Sequence, residues 1–230
     1  MMSSLKRALP LELRRSIKIS RARAFEAIGS SRFSRPALLG LDRKLSHYLQ
    51  QEPGVFLEIG ANDGYSQSNT YYLERRLGWR GILVEPLPLL FEKCRKGRPA
   101  SQCFNFACVA PGSPATVDLV DLDLMSVTLG AQSVTEETRR LSGQEGHRLT
   151  VPAKTLSSII DQAGEASINF MSVDVEGAEE QVLGGLALHR HTPDWLLVET
   201  ANPAAVAALL APQMLLETQL TFHDFLFRRA

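Results

Sequence analysis

Short apolar runs alternate with segments of helical periodicity along most of the chain. Runs bounded by Gly, Pro or a carboxylate predict strands that are buried on both faces. The segments between them place apolar residues three or four positions apart, which predicts amphipathic helices. The predicted strands are 55–59, 81–85, 103–109, 115–124, 168–173 and 195–199, and the predicted helices are 38–50, 68–77, 87–96, 155–163, 178–188 and 206–210.

Strands that alternate with helices in this way are typical of an α/β protein, in which helices cover both faces of a parallel sheet. The final runs, 214–221 and 224–229, leave no room for a helix between them and predict a closing hairpin. The polar segment 126–146 predicts a surface excursion. We expect a helical N-terminal extension over residues 1–50 and one larger domain over residues 51–230.

Charge is distributed unevenly, although the chain as a whole is neutral. Residues 1–50 hold eleven Lys or Arg and three Asp or Glu, which gives a net charge of +8. The other 180 residues therefore carry a net charge of −8, because the whole chain has 25 residues of each sign. An acidic domain argues against nucleic acid as a partner, since phosphate binding needs a basic face.

The basic N-terminal segment has three interpretations. Leu5, Leu9, Leu13 and Ile17 recur every four residues among Lys and Arg. This pattern fits an amphipathic helix in weak contact with an anionic membrane surface through residues 1–35. It also fits an organelle transit segment. The interpretation that we favour is a packing helix or leader with a solvated basic face, because charge runs usually face solvent.

Composition and cysteine usage suggest the compartment. The chain is 44% hydrophobic and 22% charged, as ordinary globular proteins are, and contains three cysteines. An odd number of cysteines without zinc-finger spacing favours a reducing compartment, so we expect a cytoplasmic protein.

Carboxylates stand at the ends of several predicted strands: Glu58, Glu85, Asp174 and Glu199. In an open parallel sheet, the ligand crevice lies beyond the carboxyl ends of the strands. We therefore expect these acids to line one rim of the sheet.

The turn after the first strand contains Gly60 and Gly64, but Asn62 occupies the second position of a dinucleotide-binding G-x-G-x-x-G motif. The acid before this turn, Glu58, would repel a pyrophosphate and attract a cation. Glu85, at the next strand end, can accept hydrogen bonds from both hydroxyls of a ribose. These features suit a phosphate-free nucleoside with a positive centre, and S-adenosylmethionine meets that description.

Two motifs resemble those of a known family. Residues 56–64 (FLEIGANDG) are similar to the first motif of the FkbM-type methyltransferases, and residues 174–185 (DVEGAEEQVLGG) resemble their other signature. The stretch between Ser68 and Pro86 is similar to a branch that includes the animal Star-like proteins. The resemblance covers residues 53–229 and implies a Rossmann-like class I methyltransferase fold. That fold has seven strands, mostly parallel, with an antiparallel strand from the C-terminal hairpin.

The resemblance also implies roles for individual residues. The turn from Gly60 to Gly64 would hold the methionine part of the cofactor, Glu85 the ribose, and the segment 104–107 would border the adenine. Asp174 would stand near the transferred methyl group. The family often has Asp where this chain has Glu58. The predicted cofactor-binding residues are Glu58, Gly60, Ala61, Asn62, Gly64, Asn69, Glu85, Asn105 and Asp174.

Methyl transfer to a hydroxyl requires removal of its proton. The candidate bases are Asp174, Glu176, His147 and His223, and we predict Asp174 and Glu176 as the catalytic residues. Our prediction includes no metal. One alternative remains open, in which Asp174, Glu176 and Glu199 hold a divalent ion that lowers the pKa of the acceptor hydroxyl.

The leading hypothesis is an S-adenosylmethionine-dependent O-methyltransferase that acts on a small molecule or glycan. The alternative is a non-catalytic binding or trafficking module on the same fold, because a fold can persist after its chemistry is lost. An intact glycine turn with both Glu58 and Glu85 favours the enzyme. The absence of G-x-G-x-x-G argues against a nicotinamide dehydrogenase.

Overall fold

The computed structural model describes residues 10–121, 126–128 and 147–230. The strands are β1 (Val55–Ile59), β2 (Arg80–Val84), β3 (Gln102–Phe104), β4 (Ala107–Cys108), β5 (Thr116–Asp121), β6 (Ser126–Thr128), β7 (His147–Lys154), β8 (Phe170–Val173), β9 (Trp195–Glu199), β10 (Met214–Gln219) and β11 (Asp224–Arg229). The helices are α1 (Leu11–Ala27), α2 (Leu41–Leu45), α3 (Tyr71–Leu77), α4 (Pro88–Gly97), α5 (Leu156–Ala163), α6 (Glu179–Gly184), α7 (Leu188–His191) and α8 (Pro203–Leu210), with a 3₁₀ turn at Leu38–Gly40.

A seven-stranded sheet in the order β10-β11-β9-β8-β1-β2-β3 forms the centre of the molecule. The pairs from β9 to β3 are parallel, whereas β11 runs antiparallel to both β9 and β10. The predicted α/β class is confirmed, and so is the antiparallel strand contributed by the closing hairpin. The strand order is that of a Rossmann-like class I methyltransferase fold.

Both faces of the central strands are buried, as their continuous apolar runs predict. On one face, Leu57 and Val173 pack in a cluster that includes residues of α5, α6 and α8. On the other face, Phe56 and Phe170 pack with residues of α2, α3 and α4. Because alternate residues of a strand point to opposite faces, each strand contributes to both clusters.

A second sheet, in the order β4-β7-β5-β6, corrects part of the predicted pattern. The single predicted strand 103–109 is wrong, since β3 belongs to the main sheet and β4 to the second. Asn105 lies between them, and its amide donates to the carbonyls of Glu85 and Pro86, both at 2.8 Å. These bonds anchor the point at which the chain leaves the main sheet.

The segment predicted as a surface excursion begins with β6, which pairs with β5. Its remainder, 129–146, lies outside the described residues, as does the end of the predicted strand at 122–124. The helix predicted over 38–50 is shorter than expected. Leu39 and Gly40 have φ values of 50° and 69°, so the regular helix begins only at Leu41.

Helix α1 packs against the domain, but not through the face on which Leu13 and Ile17 lie. Ala22 is fully buried against Tyr65 and Tyr71. Leu13 and Ile17 are 46% and 49% exposed, and the earlier members of their row precede the described residues. Among the helices that the structure describes, none has the length and apolar character needed to span a membrane.

Candidate functional site

A cleft of about 950 Å³, counting its open mouth, lies at the carboxyl ends of β1, β2 and β8. This is the location at which an open parallel sheet places its ligand crevice. Residues of the second sheet close one side of the cleft. The predicted site residues on its wall are Glu58, Gly60, Asn62, Asn69, Glu85, Asp174 and Glu176.

Gly60 allows the chain to turn tightly directly after β1, beside the end of β8. Its φ is +83°, and a Cβ atom there would lie 1.9 Å from the carbonyl oxygen of Asp174. Its amide donates to the carbonyl of Val84 at 3.0 Å, so the turn is also tied to β2. No side chain fits this position, so the backbone itself forms this part of the cleft wall.

Two other residues of the predicted turn face away from the cleft. Ala61 is buried, and a Cβ atom at Gly64 would lie 2.9 Å from the Arg98 side chain. Within the described residues, the cleft wall includes neither of them. Their contact with a cofactor stays a prediction, and their observed role is to pack the turn against α4.

Backbone amides in the turns after β1 and β2 orient the carboxylate of Glu85. Its Oε2 accepts a hydrogen bond from the amide of Asn62 at 2.8 Å, and its Oε1 accepts one from the amide of Leu87 at 2.9 Å. Asn105 donates to the carbonyl of Glu85 from behind, as described above. The described cleft wall does not include Asn105, so the structure assigns it the positioning of Glu85, and its contact with adenine stays a prediction.

Glu58 lies on the cleft wall, but its charge is directed into a network within the protein. Its Oε2 accepts hydrogen bonds from the hydroxyls of Ser68 at 2.8 Å and Thr70 at 2.7 Å, and its Oε1 accepts one from the amide of Asn69 at 2.8 Å. The guanidinium of Arg98, which is fully buried, lies 3.8 Å away. The electrostatic attraction of a ligand to Glu58 is therefore weaker than its position in the sequence suggests.

Asp174 directly follows β8, Glu199 ends the adjacent strand β9, and the two carboxyl groups share one proton in a hydrogen bond. Burial raises the pKa of Asp174 well above its usual value, and the neighbouring charges of Glu199, Glu176 and Asp224 raise it further. Burial and the charge of Glu199 also raise the pKa of Glu176. The pKa of an effective general base lies near the operating pH, and a raised carboxylate pKa comes closer to neutral pH.

Of the two candidate histidines, His223 lies beside this acidic group. Its Nε2 is 3.6 Å from Oε1 of Glu199 and 3.3 Å from Oδ2 of Asp224. The other candidate, His147, begins β7, and its side chain lies outside the described part of the chain.

Comparison with known proteins identifies the family. Residues 58–221, more than half of the chain, match the family model described as the methyltransferase FkbM domain. The chain belongs to the FkbM methyltransferase family. A comparison with curated proteins finds no match.

The solved structures that are similar in fold to this FkbM domain include three methyltransferases. Over 98% of this chain and 57% of the other, the fold is similar to methyltransferase FkbM from Methylobacillus flagellatus, at 12% identity and a TM-score of 0.51. A TehB-like SAM-dependent methyltransferase from Corynebacterium glutamicum aligns over 94% and 97% of the two chains, at 11% identity and a TM-score of 0.46. An O-methyltransferase from Bacillus cereus in complex with SAH aligns over 93% and 90%, at 12% identity and a TM-score of 0.47.

The FkbM domain also has cleft residues that sequence reasoning missed. Ser172 lies two positions before Asp174 on β8, so strand alternation could have identified it, and it accepts a hydrogen bond from Nδ2 of Asn69 at 3.1 Å. Leu119 reaches the cleft from the second sheet, and no sequence signal predicts that contact. Leu90 and Val182 are further apolar wall residues that were not predicted, whereas Phe106 and Ala107, also on the wall, belong to the predicted segment 104–107.

Proposed function

We propose that this FkbM domain is an S-adenosylmethionine-dependent methyltransferase that methylates a hydroxyl group of a small molecule or glycan. One observation carries the proposal: the same cleft is lined by the backbone of Gly60, where no side chain fits, and by the carboxylate of Glu85, which the amide of Asn62 holds in place. The family to which the chain belongs supports the reaction type.

The residues of the cleft fit this cofactor chemically. Among the described residues, the wall holds the carboxylates of Glu85, Asp174 and Glu176, besides that of Glu58, which Arg98 compensates, and it holds no Lys or Arg. Such a wall favours a sulfonium over a pyrophosphate, because unlike charges attract. A carboxylate accepts several hydrogen bonds, so Glu85 would hold the ribose hydroxyls. The apolar wall, with Phe106 and Leu90, would face the adenine.

The cofactor would supply a methyl group on a cationic sulfur that is already a good leaving group. The protein must then orient the acceptor and remove its proton. Asp174 and Glu176 would accept that proton at the cleft rim. Their raised pKa values make them stronger bases than surface carboxylates.

Calorimetric titration of the full chain with S-adenosylmethionine and NAD tests the cofactor. We expect the first to bind and the second not to bind. Binding of neither would favour the non-catalytic module, and binding of NAD alone would refute the proposal.

Incubation with labelled S-adenosylmethionine and a metabolite or glycan extract, followed by mass spectrometry, tests the reaction through a gain of about 14 Da, the mass of an added methylene. We expect Asp174→Asn to abolish turnover while the protein stays folded. Asp161→Asn is the matched control, because Asp161 is an exposed residue of α5 outside the described cleft wall. Full activity of Asp174→Asn would remove Asp174 from the mechanism.

A further inference from the structure

Three neighbouring strands place acidic residues side by side at the edge of the sheet next to the cleft. Val173 of β8 pairs with Val198 of β9, so the following residues, Asp174 and Glu199, are adjacent. Asp224 of β11 pairs directly with Glu199. Neighbouring strands lie about 4.8 Å apart, so side chains at paired positions share one face and come close together.

His223 completes this arrangement. It precedes Asp224, and its Nε2 is directed at the carboxylates of both Glu199 and Asp224, at 3.6 and 3.3 Å. One ligand atom from each of these three residues lies within 4.8 Å of the other two. Transition-metal ions bind nitrogen and oxygen ligands at about 2.0–2.2 Å, which separates neighbouring ligand atoms by about 3.0–3.6 Å. Both measured separations fall in this range.

The charge of the cluster is a second observation that points to a cation. The Asp224 side chain is 2% exposed and that of Glu199 is 33% exposed. In the part of the chain that the structure describes, their only ion-pair partner is His223, with no Lys or Arg within 4.0 Å. Glu58, at the same end of the sheet, has Arg98 instead. The hydroxyl of Thr221 donates a hydrogen bond to Oδ2 of Asp224, but a hydroxyl carries no charge. The repulsion between the two carboxylates therefore remains, and a divalent ion would offset it.

We propose that Glu199, His223 and Asp224 bind one divalent first-row transition-metal ion, such as Mn²⁺ or Zn²⁺. An imidazole with two carboxylates favours these ions over Mg²⁺ and Ca²⁺, which prefer oxygen ligands alone. Glu199 links the ion site to Asp174 on the cleft wall. The binding proposal stands on these three residues. A role of the ion in lowering the pKa of an acceptor hydroxyl would rest on the proposed methyltransferase function.

The test uses the full chain after treatment with EDTA and removal of the chelator. Mn²⁺ is titrated into the protein, and the free ion is followed by electron paramagnetic resonance. Zn²⁺ binding is measured separately by calorimetry. We expect one ion to bind per chain, and both His223→Gln and Glu199→Gln to weaken binding at least tenfold.

His191→Gln is the matched control, because Nε2 of His191 lies 3.1 Å from Oδ1 of Asp161 and, among the described residues, forms no second ion pair with an acid. We expect this variant to bind like the wild type, and thermal unfolding verifies that each variant is folded. Failure of both ions to bind at millimolar concentration would overturn the proposal, as would wild-type affinity in both cluster variants. Titration of the EDTA-treated protein with S-adenosylhomocysteine separates this result from a failure of the proposed function.

Discussion

Gly60 offers a direct test of the close approach between the turn and β8. In Gly60→Ala, the new Cβ atom would lie 1.9 Å from the carbonyl oxygen of Asp174, so the end of β8 must move. Relief of such overpacking costs about 1–3 kcal/mol. The φ of +83° adds about 1–2 kcal/mol for a residue with a Cβ atom. We therefore expect the free energy of unfolding to fall by about 2–5 kcal/mol.

Gly112→Ala separates the two contributions. Gly112 has a φ of +81°, and a Cβ atom there would meet nothing within 4 Å. This control should lose only the backbone contribution of about 1–2 kcal/mol. Urea denaturation of both variants, followed by circular dichroism, gives the difference. If the two variants lose equal stability, the close contact between Gly60 and β8 is not a constraint and the explanation of the turn is wrong.

Three further predictions concern the network, the cofactor and the cysteines. Arg98→Met leaves the buried carboxylates of Glu58 and Glu74 without their cation, so the free energy of unfolding in urea should fall by about 3–5 kcal/mol. Arg95→Met breaks only an exposed ion pair and should leave the free energy of unfolding unchanged, and equal losses in the two variants would contradict this. Glu85→Gln replaces one acceptor oxygen by a donor, so S-adenosylhomocysteine affinity measured by calorimetry should fall about tenfold or more, and unchanged affinity would exclude Glu85 from the site. A hydrogen bond from Cys94 lowers the pKa of Cys103, whereas burial raises the pKa of Cys108 to about 12, so iodoacetamide should label Cys103 first at pH 7–8. As the pH rises, the labelling rate of Cys103 should level off at a pH below the usual thiol pKa, and equal labelling of the two cysteines in mass spectrometry would refute this.

Local patterns predicted the order of the elements and the end of the sheet at which the cleft lies. Apolar runs such as 55–59 and 168–173 are long enough only for strands buried on both faces, and acids at their ends lie at one edge by the geometry of parallel sheets. The motifs at 56–64 and 174–185 resembled those of the FkbM family, although the reason for Gly60, its close approach to the carbonyl of Asp174, became visible only in the fold. Element order and motifs depend on neighbours in sequence, so they can be predicted from the chain alone.

Tertiary structure decided how the charges are paired. Arg98 is far from Glu58 in sequence, yet it compensates that carboxylate, whereas the cleft wall also holds Glu85, Asp174 and Glu176. Residue 105 looked like part of a strand, but its amide holds the backbone beside Glu85. The grouping of His223 with Glu199 depends on an antiparallel strand pairing across more than twenty residues. Electrostatic interactions depend on distance in space, and only the folded chain sets those distances.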